Sequence, residues 1–157
     1  MIELADVLEN VKELIKEIGK YQLDNFNKTL EVEWKSTEND LVTNVDKNSE
    51  MKIISFIKEN YPSHAIKAEE GGNVDNNSEY RWIIDPLDGT NNFAHGFPVF
   101  SISIALEYEN DIVLAVVYNP LLGELFYAIK GEGSFLNGKP INVSTNQDLK
   151  HALLATG

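Results

Sequence analysis

Two carboxylates three residues apart stand in Trp82-Ile83-Ile84-Asp85-Pro86-Leu87-Asp88-Gly89-Thr90-Asn91-Asn92-Phe93, where an apolar run delivers them together. Gly89 permits a sharp backbone, and Thr90-Asn91-Asn92 suits the start of a helical turn whose free amides would face an anion. Oxygen ligands of this kind suit Mg2+, which takes one or two carboxylates and keeps waters and a substrate phosphate. Glu69 and Glu70, closing an earlier apolar run, offer a third ligand. The plainer alternative is that Asp85 and Asp88 are turn and cap residues, since Asp-Gly is an ordinary turn dipeptide. Against it, four acidic side chains at the ends of two neighbouring strands would repel one another without a cation.

These groups need elements to hold them. Leu4, Leu8, Val11, Ile15 and Ile18 recur at spacings of three and four, which predicts an amphipathic helix over roughly residues 2–27. After the polar stretch 34–40, Thr43 can cap a second helix with Asp46 three positions on, and Met51, Ile54 and Ile57 form its expected apolar stripe. Tyr61-Pro62 ends it. Residues 64–68 and 81–84 read as short strands separated by a loop over 71–78, with Pro86 stopping the second strand between the two aspartates. Residues 99–106 alternate small polar with apolar, and Glu109-Asn110-Asp111 turns them into 112–118, an antiparallel hairpin. A further strand over 124–129 and a tight Asn137-Gly138 turn before Pro140 follow. Residues 151–157 read as a strand that stops as it begins, so the chain is read as a truncated piece. Two helices followed by a run of strands predict a layered α/β (α+β sandwich) fold, with the helices on one face of a mainly antiparallel sheet.

The chain has 157 residues, with 13 basic against 25 acidic side chains and a net charge of −12. Such a surface repels phosphate backbones and anionic headgroups, which argues against nucleic acid or a membrane as partner; a phosphate ligand would need a cation between. With 43% apolar and 24% charged residues the composition is globular, not disordered or fibrous. No cysteine is present, so disulfides, thiolate metal sites and cysteine nucleophiles are excluded. The acidic start Met1-Ile2-Glu3-Leu4-Ala5-Asp6 does not read as a signal peptide, and no apolar run is long enough to span a bilayer, so a cytoplasmic location is expected.

The segment 82–98, with Asp85-Pro86-Leu87-Asp88-Gly89-Thr90 at its heart, resembles the signature of the inositol monophosphatase family. The similarity extends to Asp40-Leu41-Val42-Thr43-Asn44-Val45-Asp46, to Glu69-Glu70 and to Gly131-Glu132-Gly133-Ser134-Phe135-Leu136-Asn137-Gly138, nearly the whole chain after the first helix. It implies a sugar-phosphatase-like fold, present as a domain over 1–157 without the family's C-terminal half. It also implies a Mg2+-dependent, lithium-sensitive hydrolase of a small phosphate monoester, foremost inositol monophosphate, in a family whose members commonly form homodimers. Position by position, the resemblance implies that Glu69, Asp85 and the Leu87 carbonyl hold one Mg2+ and that Asp85 and Asp88 hold a second. Glu69 and Thr90 would orient and deprotonate the attacking water, Asp46 would hydrogen-bond Thr90, and the Gly89 and Thr90 amides would bind phosphate beside Asp88. Glu69-Glu70 is followed by Gly71-Gly72 where many members carry a serine, a change expected to alter loop flexibility more than ligation.

Other readings are weaker. Lys35 matches a family position near the metal-site entrance, yet a lone lysine in a polar loop is ordinarily solvated. His95 has no evident partner and is read as packing or surface, and Trp82, Phe93, Phe97 and Phe100 as core aromatics. A haloacid dehalogenase-type aspartyl mechanism wants its two aspartates two apart rather than three, and no window supplies an EF-hand loop or a Walker-type phosphate loop. Fructose 1,6-bisphosphate and 3′-phosphoadenosine 5′-phosphate are the alternative substrates within the enzyme class. A non-catalytic Mg2+-binding or dimerising module is the alternative outside it.

Overall fold

The computed structural model describes residues 2–34 and 41–153. Helix α1 (Leu4–Asn25) buries Val7, Leu8, Val11, Leu14, Ile15, Ile18 and Gln22 along one stripe. The predicted apolar positions lie on that stripe, with Leu4 at its half-buried edge. A short ribbon of β1 (Val32–Trp34) and β2 (Leu41–Thr43) leads into α2 (Asn44–Asn60). Thr43 caps α2 as expected: its hydroxyl accepts from the Val45 and Asp46 amides, and the Asp46 carboxylate accepts from the Thr43 amide at 2.9 Å. The predicted stripe holds at Ile57 and is out of phase at Met51 and Ile54. Met51 is 58% exposed and Ile54 only half-buried, while Val45, Asp46, Ser49, Glu50, Ile53 and Ile57 face inward.

Seven strands form one sheet in chain order: β3 (Ala65–Ala68), β4 (Tyr80–Asp88), β5 (Ser101–Tyr108), β6 (Asp111–Asn119), β7 (Glu124–Ile129), β8 (Gly133–Leu136) and β9 (Lys139–Ile141). Only β3 and β4 run parallel. Alternation along the strands sends Trp82, Ile84, Ile102, Ile104, Leu106, Leu114, Val116, Leu125 and Ile129 into one core with α1 and α2. Close approach of α1 to the sheet depends on Gly19, where a Cβ would meet the Tyr118 ring at 2.5 Å. The opposite face carries half-exposed Ser103, Ala105, Ala115, Val117, Phe126 and Ala128, and no described helix crosses it.

Two differences from the sequence reading matter. Pro86 does not end its strand, because β4 continues to Asp88. Asp85 pairs with Ser103 and Asp88 with Ser101, so Pro86 and Leu87 together face the single residue Ile102, a β-bulge. Nor does the C-terminal stretch begin as a strand: Leu149–His151 is a 3-10 turn, and residues 154–157 lie outside the described residues. No helix among the described residues is long and apolar enough to cross a membrane.

Candidate metal and phosphate site

Parallel pairing of β3 with β4 fixes where the first acidic group stands. Ala68 lies opposite Ile84, and the Glu69 amide donates to the Ile84 carbonyl at 3.2 Å, so Glu69 comes beside Asp85. In a regular strand Asp85 and Asp88, at i and i+3, would point to opposite faces. The extra residue in the bulge brings both to the same side. Glu69, Asp85 and Asp88 then line one open cleft of about 230 Å3 with Leu41, Leu87, Gly89, Thr90, Asn91 and Asn92. A larger open groove of about 520 Å3 runs between α1 and α2, but its lining mixes Leu14, Met51 and Phe56 with scattered charges and gathers no reactive set.

The crowding of carboxylates shows in Asp85, whose pKa is pushed up to about 7 from 3.8. Burial is the first cause; the hydrogen bond and negative charge of Glu69 and the charge of Asp88 add to it. The Leu87 amide, donating to Asp85 Oδ1 at 3.2 Å, works the other way. Asp85 therefore keeps its proton up to near neutral pH. Among the described residues no three Asp, Glu or His side chains form a ready-made ligand cluster. The donor set nevertheless suits a hard divalent cation: three carboxylates line one cleft, and the burial and mutual repulsion that raise the Asp85 pKa are what such an ion would offset. The Leu87 carbonyl oxygen, 2.9 Å from Thr90 Oγ1, has a lone pair to offer a cation.

Gly89 sits at φ 91, the left-handed region, and caps α3 (Thr90–Ala94). There Thr90 Oγ1 lies 2.7 Å from Asp46 Oδ1. A hydroxyl has one proton, and the charged, nearer Asp46 takes it, which leaves a lone pair of Oγ1 to face the cleft. Asp46, only 1% exposed, thus caps its own helix through one oxygen and holds Thr90 through the other. The structure brings together Glu69, Asp85, Leu87, Asp88, Gly89 and Thr90 around the cleft, with Asp46 behind them.

Other sequence expectations land elsewhere. His95 is exposed, its Nδ1 2.8 Å from the Asn91 carbonyl oxygen. Trp82, Phe93 and Phe100 are buried as expected, but Phe97 is 56% exposed, because the chain leaves α3 through Gly96 toward solvent. Lys35 and Asp40 lie outside the described residues.

Sequence reasoning missed two groups. Glu50, 5% exposed, accepts from the Glu70 amide at 2.7 Å and from the Gly72 amide at 3.0 Å. The double-glycine loop is therefore fastened to α2, not simply loosened. Gln22 is wholly buried behind the bulge and donates to the Pro86 carbonyl at 2.7 Å. A polar residue in phase with the buried stripe of each helix was the signal available in the sequence.

A family model described as "Inositol monophosphatase family" matches residues 3–157. "Inositol monophosphatase 3" of Solanum lycopersicum is 46% identical over 153 residues, covering 95% of this chain and 57% of that protein. A solved structure of the Thermotoga maritima IMPase superposes with a TM-score of 0.85 at 38% identity, over 90% of this chain and 55% of that one. Another, described as an IMPase/NADP phosphatase complexed with Mg2+ and phosphate, superposes with a TM-score of 0.79 at 32% identity, over 87% and 52%. The chain thus spans little more than half the length of the relatives it matches.

Proposed function

We infer that this chain, which belongs to the inositol monophosphatase family, carries the metal- and phosphate-handling part of a Mg2+-dependent phosphomonoester hydrolase, with inositol monophosphate as the foremost substrate. One observation carries this reading: the β4 bulge aims Asp85 and Asp88 into one cleft beside Glu69 and a Thr90 already held by Asp46. Glu69, Asp85 and the Leu87 carbonyl would hold one Mg2+, and Asp85 with Asp88 a second. When bound, Mg2+ neutralises phosphate charge and lowers the pKa of a coordinated water.

The chain's own residues do the rest. Asp46 fixes the Thr90 proton, so Thr90 Oγ1 receives a hydrogen bond from the attacking water and orients it. Glu69, lining the same cleft, accepts the water's proton as general base. The Gly89 and Thr90 amides, at the strand-to-helix junction beside Asp88, receive the phosphate oxygens. No side chain needs to form a covalent phosphoenzyme. A cytoplasmic, homodimeric protein without nucleic-acid or membrane partners completes the reading; its support is the acidic surface and the family.

The test is phosphate release from inositol 1-phosphate by the purified 157-residue chain across a Mg2+ titration, with fructose 1,6-bisphosphate and 3′-phosphoadenosine 5′-phosphate alongside. Mg2+-dependent release, greatest with inositol 1-phosphate and lost in Asp85→Asn, is the expected result. Release that ignores Mg2+, or that survives in the variant, overturns it.

A further inference from the structure

Behind the bulge stands a side chain that packing alone does not explain. Gln22 of α1 is wholly buried, its Nε2 donating to the Pro86 carbonyl at 2.7 Å and more weakly to Ser49 Oγ at 3.4 Å. Among the described residues its Oε1 finds no donor. A buried acceptor left without a partner is a cost that a leucine of similar volume would not carry. What a leucine could not do is hold the Pro86 carbonyl.

That carbonyl belongs to the same peptide unit as the Leu87 amide, and the Leu87 amide donates to Asp85 Oδ1 at 3.2 Å. One planar unit is therefore gripped at both ends, by Gln22 on its oxygen and by the Asp85 carboxylate on its N–H. A hydrogen bond to the oxygen polarises the amide and strengthens its N–H as a donor. The plane fixed in this way lies inside the bulge that sends Asp85 and Asp88 to one face.

We propose that Gln22 is a positioning residue that acts through the Pro86–Leu87 peptide to aim the Asp85 carboxylate into the metal cleft. The proposal deepens the reading of that cleft as a divalent-cation site and rests on it. Gln22 is not among the residues lining the cleft, and its bond to Pro86 reaches that lining through this peptide.

The experiment compares the full chain with Gln22→Leu, Gln22→Met and Gln22→Glu, reading Tm, hydrogen exchange at the Leu87 amide by NMR, and Mg2+ affinity by calorimetry. Loss of one buried hydrogen bond predicts Leu87 exchange faster by about tenfold and Mg2+ affinity weaker by about five- to tenfold in the leucine variant. The variant is expected to stay folded, with exchange at the β5 amides unchanged. The methionine variant repeats the reading in a second apolar shape, should leucine fail to pack. Gln22→Glu, whose buried protonated carboxyl can donate to Pro86, is expected to restore Leu87 protection at acidic pH and lose it at alkaline pH, which a purely structural role would not do. Leu87 exchange and Mg2+ affinity unchanged in a folded leucine or methionine variant overturn the proposal. A parent chain that binds no Mg2+ overturns the metal-site reading instead, and the Leu87 exchange then still decides the role of Gln22.

Discussion

Asp85 is the most informative single residue because its proton and a metal ion compete for the same oxygens. Replacing it by asparagine removes the charge without adding bulk, so Mg2+ should no longer raise the Tm of Asp85→Asn. In the metal-free chain at pH 8, the same variant should melt higher than the parent. Discounted for the partial exposure of the group, the relief is of order 1–2 kcal/mol, or about 2–6 °C. A thermal melt with and without Mg2+ checks both, and a parent-like Mg2+ response in the variant would sink the ligand assignment. Thr90 makes a different prediction. Thr90→Val keeps the shape and removes the hydroxyl held by Asp46, so kcat should fall about 10²- to 10⁴-fold with Mg2+ binding retained. Steady-state kinetics beside a metal titration separate the two effects.

At the level of elements, the site depends on a junction. Gly89 joins β4 to α3 at φ 91, and a Cβ there would lie 2.9 Å from the Val99 carbonyl oxygen, a backbone atom that cannot step aside. Gly89→Ala should therefore cost about 2–4 kcal/mol, read from urea denaturation, and loosen the Thr90 hydroxyl from Asp46. Much of this was legible in the sequence: the capping box of α2, the hairpin of β5 and β6, and both acidic strand ends follow from residue type and period alone. The bulge was not, because a proline reads as a strand stop, whereas Pro86 sits where its missing N–H is tolerated. The phase of α2 failed for a related reason. Its inner face near the site is polar, with Asp46, Ser49 and Glu50 buried, so apolar spacing alone points to the exposed Met51. Sequence patterns find groups that bury themselves for hydrophobic reasons, and the groups buried to hold a site run against that pattern.

For the whole molecule, two buried titrating groups pull stability in opposite directions. The folded Asp85 pKa, about 7, lies above its ordinary 3.8, so its contribution is present below the lower value and is lost as pH rises through the upper one. His64 lies between the Tyr61 and Tyr80 rings with its Nδ1 accepting from Trp82 Nε1 at 3.1 Å, and burial lowers its pKa from 6.5. Its contribution is present above 6.5 and is lost as pH falls through the depressed value. Above pH 6.5, where the His64 contribution is complete, the metal-free chain should thus still lose stability as pH rises through about 7, and saturating Mg2+ should remove that loss. Melts from pH 5 to about 8.5 with and without Mg2+ show it, and coincident profiles would refute it.

The order of strands in the sheet carries one more consequence. From β3 to β9 each strand lies beside the one made just before it, and Asp46, Glu69, Asp85, Asp88 and Thr90 all fall in the first 90 residues. A chain leaving the ribosome therefore presents every one of these groups before β5 arrives to pair with β4 and set the bulge, after which the rest of the meander can be laid down one hairpin at a time.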